Sequence, residues 1–289
     1  MNKAEDAMGR PQEPGPGATR RGFLKTFGGA AFGGLVGTEA ILLEPDWLDV
    51  TSHTIPVPGL SAGLEGISIA QISDLHFRGD SNLNKSLLKA LAAKPPQVLV
   101  LSGDIIDNRL RLDGLKEFLA AINRDQTDIF ACMGNWEHVA YFTPMSLARE
   151  YVSVGVKLLV GRETLSRGGL WVAATDDCYI RQGQHEQLVR SAGFKKGTRL
   201  LFTHSPSILD KFPPGDNVWD LALAGHTHGG QVNLGPIMFW LPPHSGRFVS
   251  GLYQTVSGPA YISRGVGTAL LNVRFNCRPE LAYFTLTRG

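Results

Sequence analysis

Apolar positions in the first half of this chain switch repeatedly between a two-residue and a three-to-four-residue period. Gly66 to Ser73 alternates apolar with small or polar residues, which is the period of a strand. Leu83, Leu87, Leu88 and Leu91 then fall at helical spacing, and Pro95-Pro96 stops that helix. Val98 to Leu101 predicts a second strand. Leu112, Leu115, Phe118, Leu119 and Ile122 predict a second amphipathic helix, and Ile129 to Met133 a third strand. Pro144 suits the first turn of a third helix. The second half is richer in strands: Val156 to Val160, Leu170 to Ala174, Leu200 to Thr203, Leu221 to Ala224, Ala260 to Ser263 and Leu281 to Thr287 are short apolar runs between turn residues. Ile55 to Leu60 carries prolines that confine it to an edge strand and turn. Strands alternating with helices predict an α/β domain.

The strand ends share a feature that periodicity alone does not require. Asp74 and His76 follow the first strand, Asp104 and Asp107 the second, Asn135 the third, His204 and then His226 and His228 two later ones. Ligands of open α/β sheets bind beyond the carboxyl ends of strands. In an extended stretch residues two apart face the same side, so Asp74 with His76, and His226 with His228, can each converge on one centre. Each residue has a plain alternative: Asp74 as a helix cap, Asn135 as a turn residue, His204 as a satisfied core histidine. Repetition at five strand ends favours a shared centre. Carboxylate, imidazole and amide oxygen without thiolate suit two divalent cations of the Mn²⁺, Fe²⁺ or Zn²⁺ type. Such a pair clamps a phosphate and polarises a bridging water for in-line attack, giving a metal-bound hydroxide as nucleophile.

Length and composition narrow the class. With 289 residues, 43% hydrophobic and 19% charged, the chain suits one substantial globular core. Residues 1–37 hold five basic and three acidic residues, which accounts for the whole net charge of +2. The neutral remainder offers no electrostatic footprint for nucleic acid. Cys132, Cys178 and Cys277 are too few and too scattered for a disulfide framework or a thiolate zinc site. Residues 1–40 divide from a domain over 41–289. The first eighteen are rich in Pro, Gly and charge, and Thr19-Arg20-Arg21-Gly22-Phe23-Leu24-Lys25 precedes a weakly apolar, glycine-containing run. That run resembles a twin-arginine export signal, which implies passage through the twin-arginine machinery to the periplasm or cell envelope, or anchoring through an uncleaved segment.

Taken together, D-x-H, G-D-x-x-D, G-N, H and G-H-x-H over Ile67 to His228 resemble the calcineurin-like metallophosphoesterase superfamily. The resemblance implies a two-layer β-sandwich flanked by helices and a dinuclear site. Asp74, His76 and His228 would hold one metal, Asn135, His204 and His226 the other, with Asp104 bridging. Gly265 to Glu280 (G-x-G-T…R-F-N-C-R-P-E) resembles a branch of exported or membrane-linked phosphodiesterases and UDP-2,3-diacylglucosamine hydrolases. One position departs from the family pattern, which reads G-N-H-D or G-N-H-E: Trp136 stands where the histidine belongs, followed by Glu137 and His138. His138 is therefore the candidate general acid, from a shifted loop, and Asp107 a second candidate catalytic residue. A group other than His138 remains the alternative.

The expected activity is a phosphodiesterase or pyrophosphatase acting on a phosphate-linked lipid or nucleotide-sugar of the envelope. The alternatives are a UDP-2,3-diacylglucosamine hydrolase and a non-catalytic scaffold on the same fold. Ile237 to Leu241 is either a buried hairpin or an apolar lip that meets a membrane or an acyl chain. Arg247, Arg264 and Arg274 either bind a second phosphate or pair with carboxylates.

Overall fold

The computed structural model describes residues 43–177, 197–212, 218–234, 237–238 and 241–289, all within the compact unit Glu39–Gly289. The export-like segment and Cys178 lie outside these residues.

Two six-stranded sheets form the framework. The first is ordered β1 (Asp49–Val57), β14 (Glu280–Arg288), β2 (Ser68–Ile72), β3 (Val98–Ser102), β4 (Asp128–Cys132) and β5 (Val156–Leu158). The second is ordered β12 (Gly251–Thr255), β13 (Gly258–Ile262), β9 (Leu221–Ala224), β8 (Arg199–Phe202), β7 (Trp171–Ala174) and β6 (Arg162–Leu165). A short hairpin joins β10 (Asn233–Leu234) to β11 (Ile237–Met238).

Strand alternation sorts the core into three layers. Val98 and Val100 of β3, Phe130 and Cys132 of β4, Leu200 and Phe202 of β8, and Leu221 and Leu223 of β9 fill the space between the sheets. The intervening Leu99, Leu101, Ile129 and Ala131 turn outward onto helices α1 (Asn82–Ala93), α2 (Leu112–Ala120) and α4 (Pro144–Ser153). Those helices present Leu87 and Leu91, Leu115 and Leu119, Leu147 and Tyr151. On the far side Leu201, Ala222 and Ala224 pack with Ile208, Leu209, Trp219 and Phe248. A side chain on either face of these strands is therefore buried, which explains their continuous apolar runs.

The predicted strands and helices are present, with ends moved by at most two residues, apart from the first. There the strand is β1, longer and earlier than the Ile55–Leu60 run, and it lies parallel to β14. Strands β6 and β12 and the single-turn helix α3 (Asn135–Val139) carry no apolar period that would have announced them. Within Ile237–Leu241, residues Ile237–Met238 form β11 of the hairpin and Leu241 is half-buried; the side chains of residues 237–240 lie outside the described residues. No helix among the described residues is long and apolar enough to cross a membrane. Cys132 and Cys277 are buried free thiols.

Candidate metal centre

Strands β2, β3 and β4 run parallel to one another, and β8 runs parallel to β9, so their carboxyl ends gather at one rim of the sandwich. There the loops are tied to each other. The Asp74 amide donates to Gly103 O (3.0 Å), the His76 amide to Asp104 O (2.9 Å) and the Gly225 amide to His204 O (3.0 Å). Beneath them the Gln71 amide group donates to Ser102 Oγ (2.8 Å) in the first sheet and Ala224 O (3.0 Å) in the second.

Two groups of buried ligand atoms result: Asp74, His76 and His228, and Asp104, His204 and His226. Each takes residues from both sheets. In the first, His76 Nε2 lies 3.4 Å from His228 Nε2, which is 3.3 Å from Asp74 Oδ1. In the second, His204 Nε2 lies 3.1 Å from His226 Nδ1 and 3.2 Å from Asn135 Oδ1. Asp104 Oδ2 stands between them, 3.0 Å from His204 Nε2 and 3.8 Å from His76 Nε2. The structure thus brings all seven residues singled out from the sequence together, in these two groups.

The local backbone is strained to achieve this. Asp74, His76, Asp104, His226 and His228 all have left-handed φ, between 43° and 72°. Each such residue costs about 1–3 kcal/mol and persists only where the surroundings impose it. Close approach explains two neighbouring glycines: a Cβ at Gly134 would strike the Asp104 carboxylate, and one at Gly225 would strike the Ser73 hydroxyl and the Asp74 carboxylate.

Electrostatics show what the pocket of ligands is suited to hold. Burial opposes charge on His204, but Asp104 overrides it and raises the imidazole well above its ordinary value. Burial also opposes charge on His76, while Asp107, Asp104 and Asp74 raise it. The second imidazole of each group moves the other way: burial and then His204 lower His226, and burial and then His76 lower His228 well below the usual range. In each half one imidazole is thus pushed toward its charged form and its neighbour away from it. Two divalent cations fit that donor set, and imidazole, carboxylate and amide oxygen are their ordinary ligands.

The outer nitrogens are aimed by the surrounding chain. His204 Nδ1 lies 3.0 Å from Ser102 O, and His226 Nε2 lies 2.7 Å from Pro243 O. Such partners fix the tautomer and leave the other nitrogen for a metal. Asp107 sits behind His76, with Oδ2 3.6 Å from Nδ1, and its other oxygen is 3.8 Å from Arg111. It touches the centre through His76, so it is a positioning residue. His138 Nε2 meets Asp176 Oδ1 at 2.8 Å, and burial, which disfavours its charge, is outweighed by Asp176, so its value is raised. Trp136 lies edge-on to His76, ring centroids 5.9 Å apart, and its amide donates to Asp104 Oδ1 (2.8 Å).

Three functional features escape a reading by strand ends. The buried Glu137 carboxylate accepts from the amides of Asp104 (2.9 Å), Ile105 (2.6 Å), Ile106 (3.2 Å) and Gly134 (2.8 Å), fixing the bridging residue. Burial and then Asp104 push this carboxyl up to about 7. An acid at the third position of a helix start is the signal that marks it. Asp176 and Asp177 follow β7, and Asp177 accepts from the Ser205 hydroxyl beside His204. Finally, the three arginines that could either bind a second phosphate or pair with carboxylates are committed within the chain. Arg247 pairs with Asp210, Arg264 pairs with Asp49 and Glu280, and the buried Arg274 donates to the carbonyls of Arg264, Gly265, Gly267 and Cys277. The second of the two sequence readings holds for Arg247 and Arg264, and neither holds for Arg274.

Comparison with known proteins agrees with this geometry. The model of the calcineurin-like phosphoesterase family matches residues 67–230. The chain is 30% identical over 283 residues to the metallophosphoesterase YkuE of Bacillus subtilis (strain 168), covering 93% of this chain and 97% of that one. It is 27% identical to the phosphodiesterase YaeI of Escherichia coli (strain K12), covering 84% and 90%. It is 25% identical to the metallophosphoesterase YkoQ of Bacillus subtilis (strain 168), covering 81% and 90%. The chain belongs to the calcineurin-like phosphoesterases and is a metal-dependent phosphoric ester hydrolase.

Proposed function

We propose that this hydrolase is a phosphodiesterase acting on phosphate-linked molecules of the cell envelope. The observation that carries it is Asp104 Oδ2, set between the two ligand groups at 3.0 Å from His204 and 3.8 Å from His76. A carboxylate placed there could serve two cations, which Asp74, His76 and His228 on one side and Asn135, His204 and His226 on the other would hold. When bound, such a pair draws in a phosphate ester and lowers the pKa of a water for in-line attack. The residues around it supply position and a proton. Glu137 holds the Asp104 amide, Asp107 orients His76, and His138, raised by Asp176, donates a proton to the departing alkoxide. The diesterase reading draws on the likeness to YaeI and on the neutral domain, which disfavours a nuclease.

The envelope location draws on the twin-arginine-like run at 19–25. It argues against the UDP-2,3-diacylglucosamine reading, since a UDP-linked precursor is cytoplasmic. Arg274, in the branch-like run, and Arg264 just before it are bound to their own chain, so neither guanidinium is turned to a pyrophosphate. Purified protein with added Mn²⁺ should hydrolyse bis(p-nitrophenyl) phosphate faster than p-nitrophenyl phosphate. No turnover of either with any divalent metal would contradict catalysis, and a preference for the monoester would contradict the diesterase reading. The His138→Ala variant should lose most activity on an ester with a poor leaving group and keep more on a p-nitrophenyl ester; full activity on both would remove His138 from the reaction.

A further inference from the structure

Beside the first ligand group lies a cavity of about 240 Å³ whose lining includes His76 itself. It is smaller than the sites that enclose drug-sized ligands, about 300–1,000 Å³, so it takes a compact group and not a nucleotide or an acyl chain. Its walls come from three segments: the loop after β2, the loop after β13, and residues 45–46.

The lining is chemically mixed. Arg78 and Asp46 supply a cation and an anion, and Ser81, Thr268 and Asn272 supply neutral polar atoms. Pro45, Leu75 and Leu83 supply an apolar surface. Arg78 is exposed, its one hydrogen bond among the described residues goes to a carbonyl, Thr268 O (3.0 Å), and among the described residues Asp107 interacts with it only beyond ion-pair distance. It therefore keeps donors to spare, whereas Arg247 and Arg264 are paired with carboxylates and Arg274 is bound by its own loop.

These walls are also rigid. Asn84 Nδ2 donates to Gly79 O (2.7 Å), and the Ser81 hydroxyl caps α1 through the Asn84 amide (3.1 Å). Across the cavity, Thr268 Oγ1 donates to Asn272 Oδ1 (3.1 Å), and the Gly267 amide donates to Asp74 O (2.7 Å). Arg274 knits the same loop from beneath, which gives its carbonyl bonds a purpose. The cavity is thus built from the same backbone that carries the metal ligands.

We propose that this cavity binds the alcohol portion of the substrate, and that this portion is a compact polyol, either glycerol or a single hexose. A balanced pair of charges favours neutral hydroxyls over a second phosphate. Donors on Arg78 and acceptors on Asp46 suit adjacent hydroxyls, and the apolar wall suits the C–H face of the same group. The proposal rests on the diesterase reading and names its substrate class.

The test compares a glycerophosphodiester and a hexose 1-phosphodiester with bis(p-nitrophenyl) phosphate, on the full metal-loaded chain. Wild type should prefer a hydroxylated ester, and whichever of the two it prefers assigns the occupant. In Arg78→Ala and Asn272→Ala the ratio of kcat/KM for that ester to kcat/KM for the nitrophenyl ester should fall, chiefly through KM. The fall at Arg78 should be about tenfold or more, the size of a lost charged hydrogen bond, and Arg78→Lys should recover part of it. An unchanged ratio in both alanine variants would overturn the proposal while leaving the diesterase standing. Should wild type hydrolyse no diester, the diesterase reading fails separately. Saturation-transfer NMR with sn-glycerol 3-phosphate and glucose 1-phosphate on Zn²⁺-loaded protein then reads the cavity directly. A signal lost in Arg78→Ala supports it, and no signal, or one unaffected by the substitution, overturns it.

Discussion

His204 and His226 direct their outer nitrogens to backbone carbonyls, Ser102 O at 3.0 Å and Pro243 O at 2.7 Å. In the other ligand group His76 turns its outer nitrogen to the partly exposed Asp107 carboxylate at 3.6 Å, and His228 Nδ1 is buried with no hydrogen-bond partner among the described residues. Both groups use two imidazoles and a carboxylate, yet one is held by neutral, fixed main chain and the other by a charge that solvent reaches. Carbonyl backing fixes geometry, and carboxylate backing raises ligand basicity. The second group should therefore be the tighter and more selective site, and the first the one that exchanges its metal.

The largest effect should come from the residue that both groups share. Asp104→Ala removes the bridge, and steady-state assays should show activity lower by about a thousandfold or more, because a site that acts as a unit fails as a unit. Retained activity within about tenfold would mean that the two halves work independently. Glu137→Gln keeps the shape but places an amide NH₂ among four backbone donors. Thermal or denaturant unfolding should show a loss of about 1–3 kcal/mol for the unsatisfied contact, with looser metal binding in both groups. Asp107→Ala should separate the halves: metal affinity of the first group should drop about 10–100-fold while the second is unaltered. Equal loss in both would mean that the two groups are not held in different ways.

The smallest effect is one of pH. A nitrogen must shed its proton before it can ligate, and His204 and His76 hold theirs to higher pH than an ordinary histidine. Metal affinity should therefore fall as pH drops from 8 to 6, beginning above the usual imidazole range. His226 and His228 are shifted the other way, so they give up their protons at lower pH than an ordinary histidine. Calorimetric titration at the two pH values should show the weaker binding at pH 6; equal affinity would contradict the balance of charges described.

Much of this centre is legible in the amino-acid order because the physics that builds it is local. A buried strand such as β9 needs Leu221 to Ala224 apolar on both faces, and the close approach at Gly225 needs a glycine directly before His226. Strand, glycine and ligand are thus neighbours in the chain. What was not legible depends on partners far away in sequence. Asp176 lies just after β7, but only the fold shows that it faces His138, 38 residues earlier. Strand β6 is half-exposed, with a pattern set by its pairing with β7, so it has no apolar signature of its own. Arg274 carries a charge that suggested phosphate, and the fold instead surrounds it with the carbonyls of its own loop. Charge can be read from a sequence, whereas the direction in which it is used cannot.

The direct measurement of the central claim is metal stoichiometry by titration and elemental analysis of the wild type, His226→Ala and His228→Ala. Wild type should bind two equivalents of divalent cation per chain. His228→Ala should keep one equivalent, tightly, in the carbonyl-backed group, and His226→Ala should keep one, more weakly, in the Asp107-backed group. Two equivalents bound tightly in both variants would contradict the division of the centre, and none bound in wild type would contradict the centre itself.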